Sequence, residues 1–136
     1  MRLFLDANVL FTAAHNPAGK AAFLVELARE GHWICLTSGL AIEEARRNLS
    51  HKFPDNIIAF EALLACVTVV SDRAAEECTL SLAEKDRPIF AAAVAAGASH
   101  LLTGDLQHFG PWMNRPADTG GIVVQTVSTF LSRIAP

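Results

Sequence analysis

The segment HLLTGDLQHF, residues 100–109, contains a short apolar run that stops just before Asp105. The N-terminal segment MRLFLDANVL, residues 1–10, has the same plan, because its apolar run leads directly into Asp6. Nearly continuous aliphatic and β-branched runs are typical of strands buried on both faces. Five such runs occur, at residues 2–6, 33–37, 66–70, 100–103 and 121–126. Segments with helical spacing separate them, which predicts an α/β fold: a three-layer α/β/α sandwich around a mostly parallel five-stranded sheet.

Size and composition favour one soluble domain over residues 1–136. The longest uncharged apolar run, residues 89–98, is far shorter than the roughly 20 residues of a membrane span. The N-terminus has no pattern of a secretory signal, so we expect a cytoplasmic protein without membrane association. The three cysteines, Cys35, Cys66 and Cys78, lack ligand spacing and are expected to be small buried hydrophobes. A net charge of −3 excludes binding of nucleic acid by bulk positive charge.

Residues that start and end helices add detail to the predicted fold. A helix after the NPAGK turn is expected to end at Gly31, and Ser71 or Asp72 is expected to cap a helix over residues 73–83. Pro88 is placed to stand in the first turn of the Ala-rich helix that follows Asp86. The long irregular stretch at residues 110–121 is either a rim of the functional site or a flap.

Four acidic residues are candidates for one site. Ligands of parallel α/β sheets bind beyond the carboxyl ends of the strands, where Asp6 and Asp105 are expected. On a helical wheel Asp86 shares an inward stripe with Ile89, Phe90 and Ala93. Glu44 lies beside the inward stripe of Ala41, Ala45 and Leu49, whereas Glu43 falls on the opposite face. Each aspartate alone has a simpler interpretation, as a turn former or a helix cap.

Convergence of the four carboxylates requires neutralisation, since two like charges about 4 Å apart repel by about 4 kcal/mol at an effective dielectric constant near 20. Protons or a hard divalent cation would supply it. No histidine or cysteine is recognised in ligand spacing, so all-oxygen ligation favours Mg²⁺ or Mn²⁺ over zinc.

The ordered set FLDANVL, TSGLAIEEARRNL and KDRPIFAAAVAAGASHLLTGDLQHF resembles the PIN domain, a nuclease module that includes the VapC toxins of toxin–antitoxin pairs. The resemblance implies a PIN-like fold and an endoribonuclease that hydrolyses RNA phosphodiesters with one or two Mg²⁺ or Mn²⁺ ions. It further implies a cognate antitoxin and a homodimer as partners. It assigns the metal and the catalysis to Asp6, Glu44, Asp86 and Asp105, and supporting polar contacts to Asn8, Ser38 and Thr103.

Positive and aromatic side chains near the acids have two interpretations each. Arg46, Lys85 and Arg87 are candidate phosphate contacts around the acidic centre, or members of an ordinary solvated surface. The rings of His108, Phe109 and Trp112 border the expected pocket and could stack on an unpaired base, whereas burial in the core is the simpler expectation for Phe109 and Trp112.

Other functions remain as alternatives. A receiver domain would need a lysine on the last strand, and a phosphohydrolase a second aspartate in place of Asn8. A stronger alternative is a PIN-fold module that binds RNA or protein without catalysis. The apolar segment at residues 57–67 is either an interface or an ordinary core helix.

Overall fold

A computed structural model describes residues 1–134 and contains a five-stranded sheet in which every neighbouring pair is parallel. The strand order is β3-β2-β1-β4-β5. The strands are β1 (Arg2–Leu5), β2 (Ile34–Ser38), β3 (Thr68–Val70), β4 (His100–Leu102) and β5 (Val123–Gln125). The helices are α1 (Ala7–His15), α2 (Lys20–Arg29), α3 (Gly39–Lys52), α4 (Ile57–Leu64), α5 (Arg87–Ala95), α6 (Leu106–Phe109) and α7 (Val127–Ile134). The predicted α/β sandwich is confirmed.

Each of the five apolar runs forms a strand, and burial varies with position in the sheet. The central strands β1 and β4 bury Leu3, Phe4, Leu5, Leu101 and Leu102 completely. Strand β3 forms one edge, and Val69 keeps 55% of its surface exposed. A continuous apolar run therefore predicted a strand correctly, but full burial holds only in the centre of the sheet.

The order of the strands distributes the helices over both faces. The chain crosses from β1 to β3 in one direction and then returns to β4 and β5 in the other. Because crossovers between parallel strands are right-handed, this reversal puts the helices of the two halves on opposite faces. Accordingly α1 contacts α2, α3 and α4, and α2 contacts α7, whereas α5 packs on β2 and β4. The reversal opens a crevice at the carboxyl ends of β1 and β4.

Two side chains from different parts of the chain cap α3. The Ser38 hydroxyl accepts a hydrogen bond from the Ala41 N–H at 3.3 Å, and Asp72 Oδ1 accepts one from the Leu40 N–H at 3.0 Å. A Cβ atom at residue 39 would lie 3.1 Å from Asp72 Oδ2, so Gly39 permits this close approach. These bonds satisfy N–H groups that a helix start leaves without intrahelical partners.

The expected helix over residues 73–83 is wrong, since this segment has only a short 3-10 turn at Ala75–Glu77. The Arg87 guanidinium donates hydrogen bonds to the carbonyl oxygens of Ala75, Cys78 and Leu80 at 3.0–3.2 Å. Carbonyls that a regular helix would pair internally are thus paired by a side chain of α5. Asp72 accordingly caps α3 and not a helix that follows it.

The segment at residues 110–121 lies along β5 and is held there by main-chain and side-chain hydrogen bonds. The Asn114 N–H donates to the Val124 carbonyl at 2.9 Å, and Asn114 Oδ1 accepts from Gln125 Nε2 at 2.8 Å. Phe109 before it is fully buried, and Trp112 packs partly buried against the core. Core burial is therefore the correct interpretation of Phe109 and the closer one for Trp112.

Two smaller expectations concern the cysteines and the membrane. Cys35 and Cys78 are buried, Cys66 is half-buried, and all three are free thiols.

Among the helices within residues 1–134, none combines the length and the apolar character that crossing a bilayer requires.

Replacement of Asp72 by alanine should lower the free energy of unfolding by about 1 kcal/mol, because the Leu40 N–H loses its acceptor at the start of α3. Urea denaturation measures the change. Asp72→Asn keeps an acceptor oxygen and should lose less. An alanine variant as stable as the parent would show that this contact contributes nothing.

Replacement of Arg87 by methionine should lower the free energy of unfolding by about 3 kcal/mol, because three carbonyls in partly buried surroundings lose a charged donor. The matched control is Arg46→Met, which removes an exposed ion pair with Glu61 and should change stability by less than about 1 kcal/mol. Urea denaturation of both variants measures the difference. Equal losses would contradict the structural role of Arg87.

Candidate active site

The register of β1 and β4 brings Asp6 and Thr103 together. Leu5 is paired with Leu102, and the Asp6 N–H continues this ladder by donating to the Leu102 carbonyl at 3.0 Å. The Thr103 hydroxyl then donates to Asp6 Oδ2 at 2.8 Å. Asn8 spans the same gap, since its Nδ2 donates to Asp6 Oδ2 at 3.2 Å and its Oδ1 accepts from the Gly104 N–H at 2.7 Å.

Asp6 is a buried carboxylate with an altered proton affinity. Burial raises the pKa of Asp6 from its ordinary 3.8 to about 6, against the opposing hydrogen bonds from Thr103 and the Ala7 N–H. The negative charges of Asp86 and Glu44 raise this pKa further. Carboxylates from three segments of the chain, those of Asp6, Glu44 and Asp86, therefore act on one another at this edge of the sheet.

Asp86 occupies the N-cap position of α5 but makes no capping hydrogen bond with its side chain. The residue is 5% exposed, and Asp86 Oδ2 has no hydrogen-bond partner among the residues that the structure describes. Burial is the main cause that raises the pKa of Asp86; Asp105 and Glu44 raise it further, while Lys85 and His108 oppose them. The simpler interpretation of Asp86 as a side-chain helix cap is therefore wrong.

Asp105 does cap a helix, and it also contacts a histidine. Asp105 Oδ1 accepts a hydrogen bond from the His108 N–H at 3.1 Å, and its Oδ2 lies 2.7 Å from His108 Nδ1. Burial would raise the pKa of Asp105, but the hydrogen bonds and charge of His108, together with Lys85, hold it below the ordinary value. His108 Nδ1 is also 3.4 Å from Asp86 Oδ2.

Glu44 and Glu43 have different surroundings. Glu44 is half-buried and lines a cleft of about 430 Å³ together with Asn8, Asp105 and Lys85. Glu43 is exposed and forms an ion pair with Arg47 at 3.8 Å. The face of α3 that the helical wheel assigned to Glu44 is thus the face that borders the cleft.

Of the three candidate phosphate contacts, only Lys85 lines this cleft. The Arg46 guanidinium forms two hydrogen bonds with Glu61 at 2.8 and 3.2 Å, which directs it toward α4. The Arg87 guanidinium is held by the three carbonyls described above. In this structure Arg46 is held in an exposed ion pair with Glu61 and Arg87 by main-chain carbonyls, and neither guanidinium lines the cleft.

Ser38 and His108 also differ from expectation. The Ser38 hydroxyl caps α3, so its described contact supports the helix that carries Glu44 and not an acid directly. The expectation that no histidine has ligand spacing is wrong, because His108 lies three residues after Asp105 and within one helical turn of it. Thr12 and Asn48 also line the cleft. They lie four residues, about one helical turn, after Asn8 and Glu44, so the same helical spacing would have indicated them.

The arrangement fits a divalent cation. One oxygen each of Asp86 and Asp105 and a ring nitrogen of His108 lie within 4.8 Å of one another. A buried carboxylate oxygen without a donor is costly unless a cation or proton satisfies it. Asp86 Oδ2 is such an atom as far as the described residues 1–134 show, so the donor set is suited to a metal ion.

Comparisons with known proteins place this geometry in context. The chain is similar in structure to VapBC2 from Rickettsia felis bound to a DNA fragment from their promoter, with 17% identity, 93% of this chain and 98% of that chain covered, and a TM-score of 0.66. For PAE2754 from Pyrobaculum aerophilum the identity is 18%, the coverage 98% and 94%, and the TM-score 0.63. VapC20 from Mycobacterium tuberculosis, a toxin that cleaves the sarcin-ricin loop, is 17% identical, with 77% of this chain and 91% of that chain covered and a TM-score of 0.53.

These likenesses are likenesses of fold, given the low identities. No curated protein matches the sequence significantly. The family model of the PIN domain matches residues 2–107, which include all four acidic residues. The resemblance seen in the motifs is confirmed, and the chain belongs to the PIN domain family.

Proposed function

We propose that residues 1–136 are a single nuclease domain, a VapC-like endoribonuclease that hydrolyses RNA phosphodiesters with Mg²⁺ or Mn²⁺. The observation that carries the proposal is the buried Asp86 carboxylate, which has an oxygen without a donor in the described part of the chain. The negative charges of Glu44 and Asp86 raise the pKa of Asp6, which supports a cation shared by these three carboxylates. Membership of the PIN family supports a nuclease in general.

The acidic residues would hold one or two ions. When bound, such an ion would supply an activated water for in-line attack and charge screening of the phosphate, so that hydrolysis would leave a 5′-phosphate and a 3′-hydroxyl. Asp6, Glu44, Asp86 and Asp105 would provide its oxygen ligands.

Neighbouring residues have separate tasks in this proposal. Thr103 and Asn8 fix the orientation of the Asp6 carboxylate through bonds of 2.8 and 3.2 Å to Oδ2. Lys85 lines the cleft with Asp105 and would contact a phosphate oxygen of the substrate. Since Arg46 and Arg87 are held elsewhere, an ion between the carboxylates and the phosphate would carry most of the neutralisation.

For partners we propose a cognate antitoxin and a homodimer in the cytoplasm. Structures of VapBC proteins, and of FitAB bound to IR36 DNA fragment, share the fold of this chain, which supports an antitoxin partner. A catalytically inactive PIN module that binds RNA or protein is the alternative outcome of the following experiment.

Replacement of Asp86 by asparagine, or of Glu44 by glutamine, should lower the rate of RNA cleavage in Mn²⁺ by at least about 100-fold, because a charged ligand of the ion is lost. The matched control is Glu43→Gln, which changes the neighbouring exposed glutamate and should cleave like the parent. Cleavage of a labelled RNA pool, with EDTA as a blank, measures the rates. A parent that binds Mn²⁺ but cleaves no RNA would favour the binding module.

Replacement of Asp6 by asparagine should stabilise the metal-free protein while removing its cleavage activity. The pKa of Asp6 is raised from 3.8 to about 6. Between these two pH values the folded chain therefore binds a proton at Asp6 that the unfolded chain has released. The resulting stability is fully present below about pH 4 and is lost as the pH rises through about 6. The variant should therefore exceed the parent by up to about 3 kcal/mol at pH 7.5.

Urea denaturation in EDTA from pH 4 to 8 measures this difference, which should shrink toward the acid end. Saturating Mn²⁺ should reverse the order at neutral pH, since ligand binding stabilises only the chain that holds the ion well. A variant less stable than the parent at every pH would contradict the electrostatic account of Asp6.

A further inference from the structure

His108 extends the acidic centre with a nitrogen donor that the four-carboxylate scheme does not include. Its Nδ1 lies 2.7 Å from Asp105 Oδ2 and 3.4 Å from Asp86 Oδ2. These are also the separations of neighbouring ligand atoms around one small cation, since two ligands about 2.1 Å from an ion at right angles are about 3 Å apart. The imidazole is thus placed at the edge of the same coordination sphere.

Local structure fixes the ring in this position. Asp105 begins the one-turn helix α6, and its Oδ1 accepts the His108 main-chain N–H at 3.1 Å. The side chain of His108 is 31% exposed, so most of it is enclosed by the fold. The carboxylate that would bind the ion therefore also determines where the imidazole stands.

A simple ion pair between His108 and the aspartates does not account for the geometry. A single N–H on Nδ1 can be directed well to only one acceptor, and Asp105 Oδ2 at 2.7 Å takes it. Asp86 Oδ2 then has no donor from any described residue, although it is buried. A cation between the three side chains satisfies both carboxylates at once and uses the nitrogen lone pair.

We infer that His108 Nδ1 is a direct ligand, together with Asp86 and Asp105, of the ion bound at this site, and that the site selects imidazole-binding transition ions over Mg²⁺. This inference rests on the proposed metal-dependent function and specifies which ion serves it. The affinity of a site with a nitrogen ligand rises along the first-row series from Mn²⁺ to Co²⁺, whereas Mg²⁺ prefers oxygen ligands and keeps its waters. We expect Co²⁺ and Mn²⁺ to bind at least about tenfold more tightly than Mg²⁺.

The test uses the untagged full chain with Mn²⁺ or Co²⁺ as probes. Pulsed EPR of the Mn²⁺ protein should show modulation from a directly bound nitrogen, and titration calorimetry should give the Co²⁺ and Mg²⁺ affinities. His108→Asn keeps an N–H donor toward Asp105 but has no nitrogen lone pair. It should lose the nitrogen modulation and at least about tenfold of the Co²⁺ affinity, with a change of less than about threefold for Mg²⁺.

The exposed His51 supplies the control, since His51→Gln should retain the modulation and both affinities. Retention of Co²⁺ affinity in His108→Asn, together with its loss in His108→Ala, would reduce His108 to a residue that positions Asp105 and overturn the inference. Mn²⁺ binding to the parent without nitrogen modulation overturns the inference alone and leaves the nuclease proposal standing. Failure of the parent to bind any of these ions overturns both.

Discussion

The main constraint on this structure is the burial of carboxylates at one edge of the parallel sheet, where few water molecules can hydrate them. Asp6 and Asp86 are buried, and both have raised pKa values because burial and neighbouring acids oppose their ionisation. Hydrogen bonds from Thr103 and Ala7 offset this only partly at Asp6. The apolar centre of the sheet, with β1 and β4 fully buried, supplies the stability that such an arrangement requires. A positive charge entering the crevice would relieve the repulsion.

Three aspartates stand at the starts of helices and do different things there. Asp105 caps α6 with one oxygen and contacts His108 with the other. Asp6 accepts from the first N–H of α1 with Oδ1 and from the Thr103 hydroxyl with Oδ2. Asp86 caps nothing with its side chain. The position of an acid in a helix therefore does not decide its role. The hydrogen-bond donors that neighbouring strands and helices bring to the carboxylate decide it.

Local patterns were sufficient where one segment decides its own structure. Continuous apolar runs located all five strands, and the helical wheels placed Ala41, Ala45 and Leu49 of α3, and Ile89, Phe90 and Ala93 of α5, in the core. They failed at residues 73–83, because Arg87 pairs the carbonyls that a helix would use. They also did not reveal that the guanidinium of Arg46 pairs with Glu61 on α4. Both contacts involve long side chains whose partners lie on other segments.

The sequence by itself determined the parallel α/β fold and the family, and it singled out the four acidic residues as candidates, because periodicity, strand ends and motif order are encoded within short segments. Only the tertiary structure decided which carboxylate has an oxygen without a donor within residues 1–134, which positively charged side chain lines the cleft and that His108 lies beside Asp86 and Asp105. These properties are set by distances of about 3 Å between side chains from separate elements, and by how much water each retains. Packing fixes both, and no short segment contains that information.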